Sequence, residues 1–161
     1  MQFAIVLPDA ELPSKITSRS TRKQPPMQEQ DNIDLIKKLY AAFGEGDIET
    51  IIGHLADQLV WRFDAPSMIP YAGEFGTPEQ VKEGFFASLA STQKDYSLQT
   101  DEFIAQGDKV IMVGSYGATV KSTGKRFDLP LAHAWTIQNG KVKRFVNFTD
   151  TARVAEAYTV N

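Results

Sequence analysis

Three residues near the C-terminal end of the chain, His133, Asn147 and Asp150, are of types that do acid–base and oxyanion chemistry. Two strand-like runs, Arg126 to Ile137 and Lys141 to Thr149, flank Asn139-Gly140. That dipeptide is a strong hairpin signal, because both central residues of a type I′ turn need positive φ. The turn folds Asn147 and Asp150 back toward His133, which sits in an apolar strand. Dry surroundings of this kind shift pKa values and support proton transfer. Trp135 lies two residues from His133, so both face the same side of the strand. An indole beside the imidazole lowers the histidine pKa and favours its neutral form. Tyr40, Tyr71 and Tyr116 are candidate hydroxyl donors to a carbonyl oxygen, and Trp61 and Phe85 are candidate walls of a substrate pocket.

Each of these residues also has an ordinary structural use. His133 can be a satisfied core histidine, Asp150 an N-cap for a last helix, and Asn147 a polar strand residue facing solvent. Arg62 with Asp64, and Arg126 with Asp128, have the spacing of exposed pairs on one strand face, which contribute little. Two histidines, His133 and His54, have no third partner at ligand spacing, so no metal site is expected. There is no Cys, no phosphate-cradling glycine loop and no GxSxG elbow. The chemistry expected is that of side chains alone, without a cofactor.

The bulk properties narrow the field further. A length of 161 residues suits one domain with a real core. A net charge of −3 argues against a general nucleic-acid partner. The apolar runs fall far short of the ~20 residues that span a bilayer, so no membrane partner is expected. The cytoplasm is the expected compartment. Residues 1–30 read as a disordered tail: Pro13 to Gln30 has almost no apolar content. Phe3 to Leu7 is apolar but lacks the basic segment of a signal peptide. Met27 stands just before the first structured element and is a candidate alternative start.

The single domain, 31–161, reads helix, helix, strand, helix, then strands. Asp31 is the expected first N-cap, with Ile33, Ile36, Leu39, Tyr40 and Phe43 as one stripe. Asp47 caps a second helix carrying Ile48, Ile51, Ile52 and Leu55. A strand follows over Leu59 to Asp64, then an irregular loop over Pro66 to Gly76. Thr77-Pro78-Glu79-Gln80 is a helix start with N-cap, proline at the first position and a closing Gln. Tyr96 to Ala105, Lys109 to Val120 and the two hairpin runs make a four-stranded meander. Segregated helices and an antiparallel sheet mean α+β. Three helices packed into a strongly curved sheet make a cone with an interior apolar pocket, and Gly114, Gly117 and Pro130 suit its bends.

Trp61, the Tyr71-Ala72-Gly73 loop, the Gly76-Thr77-Pro78-Glu79 helix start and the His-x-Trp…Asn-Gly-Lys-Val hairpin ending in Asp150 occur in an order that resembles the SnoaL-like proteins. These belong to the nuclear transport factor 2-like superfamily, with the steroid delta-isomerases. The resemblance covers about residues 31–158. It implies the conical fold, a deep apolar pocket and a homodimer. It also implies a cofactor-independent isomerase- or cyclase-type enzyme acting on a small or medium apolar carbonyl compound. A non-catalytic binder of hydrophobic molecules and an epoxide hydrolase are the alternatives, because this fold hosts many functions. By the same resemblance His133 matches the cyclases' strand histidine. The position of their acid–base aspartate, about fourteen residues later, falls on Asn147. An amide does not exchange a proton at ordinary pH but can hydrogen-bond an oxyanion. Asp150 is then the nearest carboxylate. Asp64 falls near the base of the steroid isomerases.

Overall fold

A computed structural model describes residues 27–160. Helix α1 (Met27–Glu45) is followed by α2 (Ile48–Gly53), strand β1 (Leu55–Phe63) and the short β2 (Gly73–Phe75). Helix α3 starts at Pro78–Gln80, passes through a π-helical stretch, Val81–Phe86, and ends with Ala87–Thr92. Strands β3 (Gln93–Gln106), β4 (Lys109–Val120), β5 (Arg126–Gln138) and β6 (Lys141–Thr149) come next, then helix α4 (Thr151–Tyr158). The fold is α+β: six strands in the order β2-β1-β6-β5-β4-β3 form one curved, unclosed sheet. Among the described residues, no helix is long and apolar enough to cross a membrane.

Local chemistry sets the helix starts. The Asp47 carboxylate accepts from the Thr50 amide and caps α2. Thr77 caps α3 with proline behind it, and the Gln80 side chain turns back to accept from the Gly76 amide. The junction between β2 and α3 thereby closes on both sides. Helix α1 differs from expectation. It begins at Met27 rather than at an Asp31 cap, and Glu29 in its first turn accepts from the Gly107 amide in the β3–β4 turn. That tertiary contact extends the helix beyond its amphipathic stripe. The expected tail is thus helical over residues 27–30, while 1–26 lie outside the described residues.

The sheet also holds more than the expected meander. β1 starts at Leu55 and runs parallel to β6, placing Trp61 beside Phe145. Gly73–Phe75, expected as loop, pairs antiparallel with Trp61 to Phe63. Register shifts between Lys94 and Ser97, Thr100 and Glu102, and Thr136 and Ile137 bend the long strands, as bulges do. Gly114 lies against the Gln99 carbonyl at the second of these, where a side chain would collide with backbone.

The core fills the concave side. Ile36 and Leu39 of α1, Ile51 of α2 and Val81, Phe85, Phe86 and Leu89 of α3 are buried against Trp61, Phe63, Leu129, Trp135 and Phe145 of the sheet. The π-helical stretch turns two successive phenylalanines, Phe85 and Phe86, inward. Gly84 in the same stretch leaves room for the Phe75 ring. Truncating an aromatic at such a position costs roughly 3–5 kcal/mol.

Candidate active site

Strand register arranges the concave face in rows. His133 pairs with Asn147 on one side and Met112 on the other, and Trp135 pairs with Phe145 and Val110. Leu131 pairs with Thr149, and Leu129 with Tyr116. Residues opposite each other in a ladder share a face, so His133, Asn147, Trp135 and Trp61 all project inward. They line one cavity of about 80 Å3, closed on the helix side by Leu39, Tyr40, Phe85 and Phe86. Among the described residues its ionisable lining groups are Tyr40, Tyr71, Tyr116 and His133, with no carboxylate.

The centre of the site is a three-residue chain. The Trp135 indole N–H donates to the Tyr40 hydroxyl at 3.0 Å, and that hydroxyl lies 2.6 Å from His133 Nδ1. An indole N–H only donates. If Nδ1 also carried a hydrogen, two donors would point at the Tyr40 oxygen and its own hydrogen would be left without an acceptor in a buried place. Tyr40 therefore donates to Nδ1, and the neutral imidazole carries its hydrogen on Nε2. Burial pushes the His133 pKa down to about 3, so the ring is uncharged at neutral pH. Burial likewise pushes the Tyr40 hydroxyl up, opposed only by its bond from Trp135. Aromatic rings pack round the histidine: Phe145 at 4.9 Å between centroids and Tyr40 stacked at 5.8 Å.

A second polar cluster bounds the same cavity. Gln93, 1% exposed, donates through Nε2 to the hydroxyls of Tyr71 and Tyr158 and accepts from Tyr116 at 2.6 Å. Burial raises the pKa of both Tyr71 and Tyr116. The neighbouring Tyr158 hydroxyl adds to the upward shift of Tyr71. Sequence reasoning singled out Tyr71 and Tyr116 but not Gln93, whose partners lie 22 to 65 positions away.

The sequence candidates divide clearly. His133, Asn147, Trp61, Tyr71, Phe85, Tyr116 and Trp135 line the cavity. Asp150 and Asp64 do not. Asp150 is exposed and accepts from the Arg153 amide as N-cap of α4. The strand ends at Thr149, and the capping conformation holds the carboxylate outside. Asp64 is paired with Arg62 at 2.7 Å on the exposed face, opposite in alternation to Trp61 and Phe63. Among the described residues, no three His, Asp or Glu side chains gather in a metal-binding group.

A family model described as SnoaL-like domain matches residues 36–145. The chain belongs to the SnoaL-like domain family. Solved structures agree with that membership. An NTF2-like protein from Burkholderia thailandensis is 29% identical, with 80% of this chain and 98% of that one covered and a TM-score of 0.74. TerC, crystallised with polyporic acid, is also 29% identical, with 80% and 98% covered and a TM-score of 0.71. A SnoaL-like polyketide cyclase from Jannaschia is 16% identical, with 86% and 99% covered and a TM-score of 0.74, and shares the fold. No curated protein matches the chain. The SnoaL-like match spans α1 from Ile36 through most of β6, and so takes in Tyr40, Trp61, His133 and Trp135 but stops short of Asn147.

Proposed function

We propose that this SnoaL-like protein is a cofactor-independent enzyme of isomerase or cyclase type. It binds an apolar, aromatic carbonyl compound in the cone and moves a proton on it through His133. The observation that carries this reading is the Trp135–Tyr40–His133 chain in a dry cavity. With its hydrogen on Nε2, His133 donates to a carbonyl oxygen and stabilises the enolate as it develops. With substrate bound, the Tyr40 hydroxyl, which lines the cavity, turns its hydrogen to that oxygen. This releases His133 into the other tautomer, in which Nδ1–H donates to the Tyr40 oxygen and Nε2 takes a proton from carbon. The proton then returns to a different atom of the same substrate, so the ring ends as it began. Burial opposes the imidazolium between these steps, but the enolate formed beside it is an opposite charge and offsets that penalty. The reading favours substrates that are already acidic. The crystallisation of TerC with polyporic acid, an aromatic hydroxyquinone, supports that class. The epoxide-hydrolase alternative finds no support, since Asp64, Asp128 and Asp150 all face solvent.

One observation favours a second reading, binding without turnover: no carboxylate of the described residues lines the cavity. A panel of aromatic polyketones, hydroxyquinones and steroids separates the two. A ligand at a hundred times its Kd raises stability by about 2.7 kcal/mol. Compounds that stabilise the protein then go to a turnover assay with wild type, Tyr40→Phe and His133→Ala. Loss of turnover in both variants supports the enzyme. Undiminished turnover in both removes the mechanism.

A homodimer is part of the same proposal. The convex face of the sheet carries Ile104, Val113 and Phe148, which are 50%, 39% and 58% exposed. Val113 and Phe148 both pair with Ala132, so they form one apolar row. Exposed apolar surface of this kind is characteristic of association sites, and a second copy offers the matching face.

A further inference from the structure

The two tryptophans of the chain line the same cavity but differ in one respect. The Trp135 indole N–H is bonded to Tyr40, whereas the Trp61 N–H, in a residue 2% exposed, has no partner among the described residues. The Asn147 side-chain oxygen is likewise buried and without a partner among the described residues. Buried polar groups in folded proteins are almost always satisfied, and those that are not call for an explanation. Here one is a pure donor and the other an acceptor. Phe145 connects them: Trp61 pairs with it across β1 and β6, and Asn147 lies two residues beyond it on the same face. Strand geometry puts the two Cα atoms roughly 8 Å apart, two residues along and one strand across.

We infer that Trp61 Nε1 and Asn147 Oδ1 are the specificity contacts of this site, selecting a ring that carries a carbonyl for Trp61 and a hydroxyl for Asn147. The inference rests on the cavity being a ligand site and adds which groups the ligand must carry. Size adds a second constraint. The interior space is about 80 Å3, against about 150 Å3 for a cavity that holds benzene. Beside it lies an open groove of about 1280 Å3, bounded by α1, α3 and β3. Tyr40, Phe43, Phe86, Leu89 and Leu98 belong to both. One oxygenated ring enters by displacing Phe43, Phe86, Leu89 and Leu98 while Tyr40 stays on His133, and the rest of a larger molecule stays in the groove.

The test uses three single-ring probes on the full chain labelled with 15N: 4-hydroxyacetophenone with both groups, acetophenone with the acceptor alone and 4-ethylphenol with the donor alone. Two tryptophans give two indole N–H signals, and Trp61→Phe assigns them. Acetophenone and 4-hydroxyacetophenone move the Trp61 signal downfield, while 4-ethylphenol does not. The bifunctional probe binds roughly tenfold tighter than either partner probe, as one further hydrogen bond in a dry site supplies. Asn147→Leu removes that advantage over acetophenone. Should other cavity signals move while Trp61 stays still, or should the three probes bind equally, the specificity assignment is overturned and the ligand site stands. Should no cavity signal respond to any probe, the ligand-site reading falls and takes the assignment with it.

Discussion

Tyr40 and His133 stand 93 positions apart in the chain and meet at 2.6 Å. The contact ties the middle of the first helix to a central strand, and it settles which ring nitrogen faces the cavity. Removing the hydroxyl leaves the Trp135 N–H and His133 Nδ1 without a partner in a buried place. Tyr40→Phe is expected to lower stability by about 1–3 kcal/mol, measured by urea unfolding at pH 7. The variant should also lose turnover on any substrate the wild type accepts, because His133 loses the hydroxyl that holds its ring at Nδ1.

The depressed histidine pKa makes a pH prediction. In the unfolded chain His133 titrates near 6.5, and in the fold burial holds it at about 3. Between these values the unfolded state binds the extra proton, so stability falls as pH falls. Each pH unit in that window is worth about 1.4 kcal/mol, and above pH 6.5 the group contributes no slope. Urea unfolding of wild type and His133→Gln at pH 7, 6 and 5 measures it. The wild type should lose stability more steeply than the variant, and equal slopes would place the ring in a wetter setting.

The convex apolar row gives a prediction on assembly. Phe148→Asp puts a charge at the most exposed ring of that face without touching the cavity. Sedimentation velocity at micromolar concentration should show a dimer for the wild type and a monomer for the variant, with the far-ultraviolet circular dichroism of both alike. A wild-type monomer would leave the patch without a self-partner.

Much of this arrangement was legible locally. The bounds of β4 and β6 and the Asp47 and Thr77 caps follow from alternation and capping. The facing of His133 with Asn147 does not: the two-residue Asn-Gly turn alone sets His133 opposite Val146, and the register shift between Thr136 and Ile137 brings Asn147 there. What could not be read was long-range. The parallel pairing of β1 with β6 joins Trp61 to Phe145, and no local pattern encodes it. The three residues of β2 are too few to show an alternation. Gln93 looked like an ordinary polar residue at a helix–strand junction, because its meaning depends on three tyrosines brought from elsewhere. Asp150 shows the converse. Its sequence position suited both a catalytic carboxylate and a helix cap, and only the end of the strand at Thr149 decides between them.

That decision can be measured. Asp150 accepts from the Arg153 amide and adopts a cap conformation, with its side chain exposed. Asn serves as well as Asp at an N-cap, whereas Ala costs about 0.5–2 kcal/mol. Asp150→Asn should therefore keep both stability and turnover, and Asp150→Ala should lose stability by that amount while keeping turnover at temperatures well below its melting point. A carboxylate that moved a substrate proton would behave otherwise, since Asn has no exchangeable proton of the right acidity. Loss of turnover in Asp150→Asn with an unchanged melting temperature would mean that the carboxylate reaches the substrate despite its place outside the cavity. Retention of turnover would leave His133 and Tyr40 as the groups that carry the chemistry.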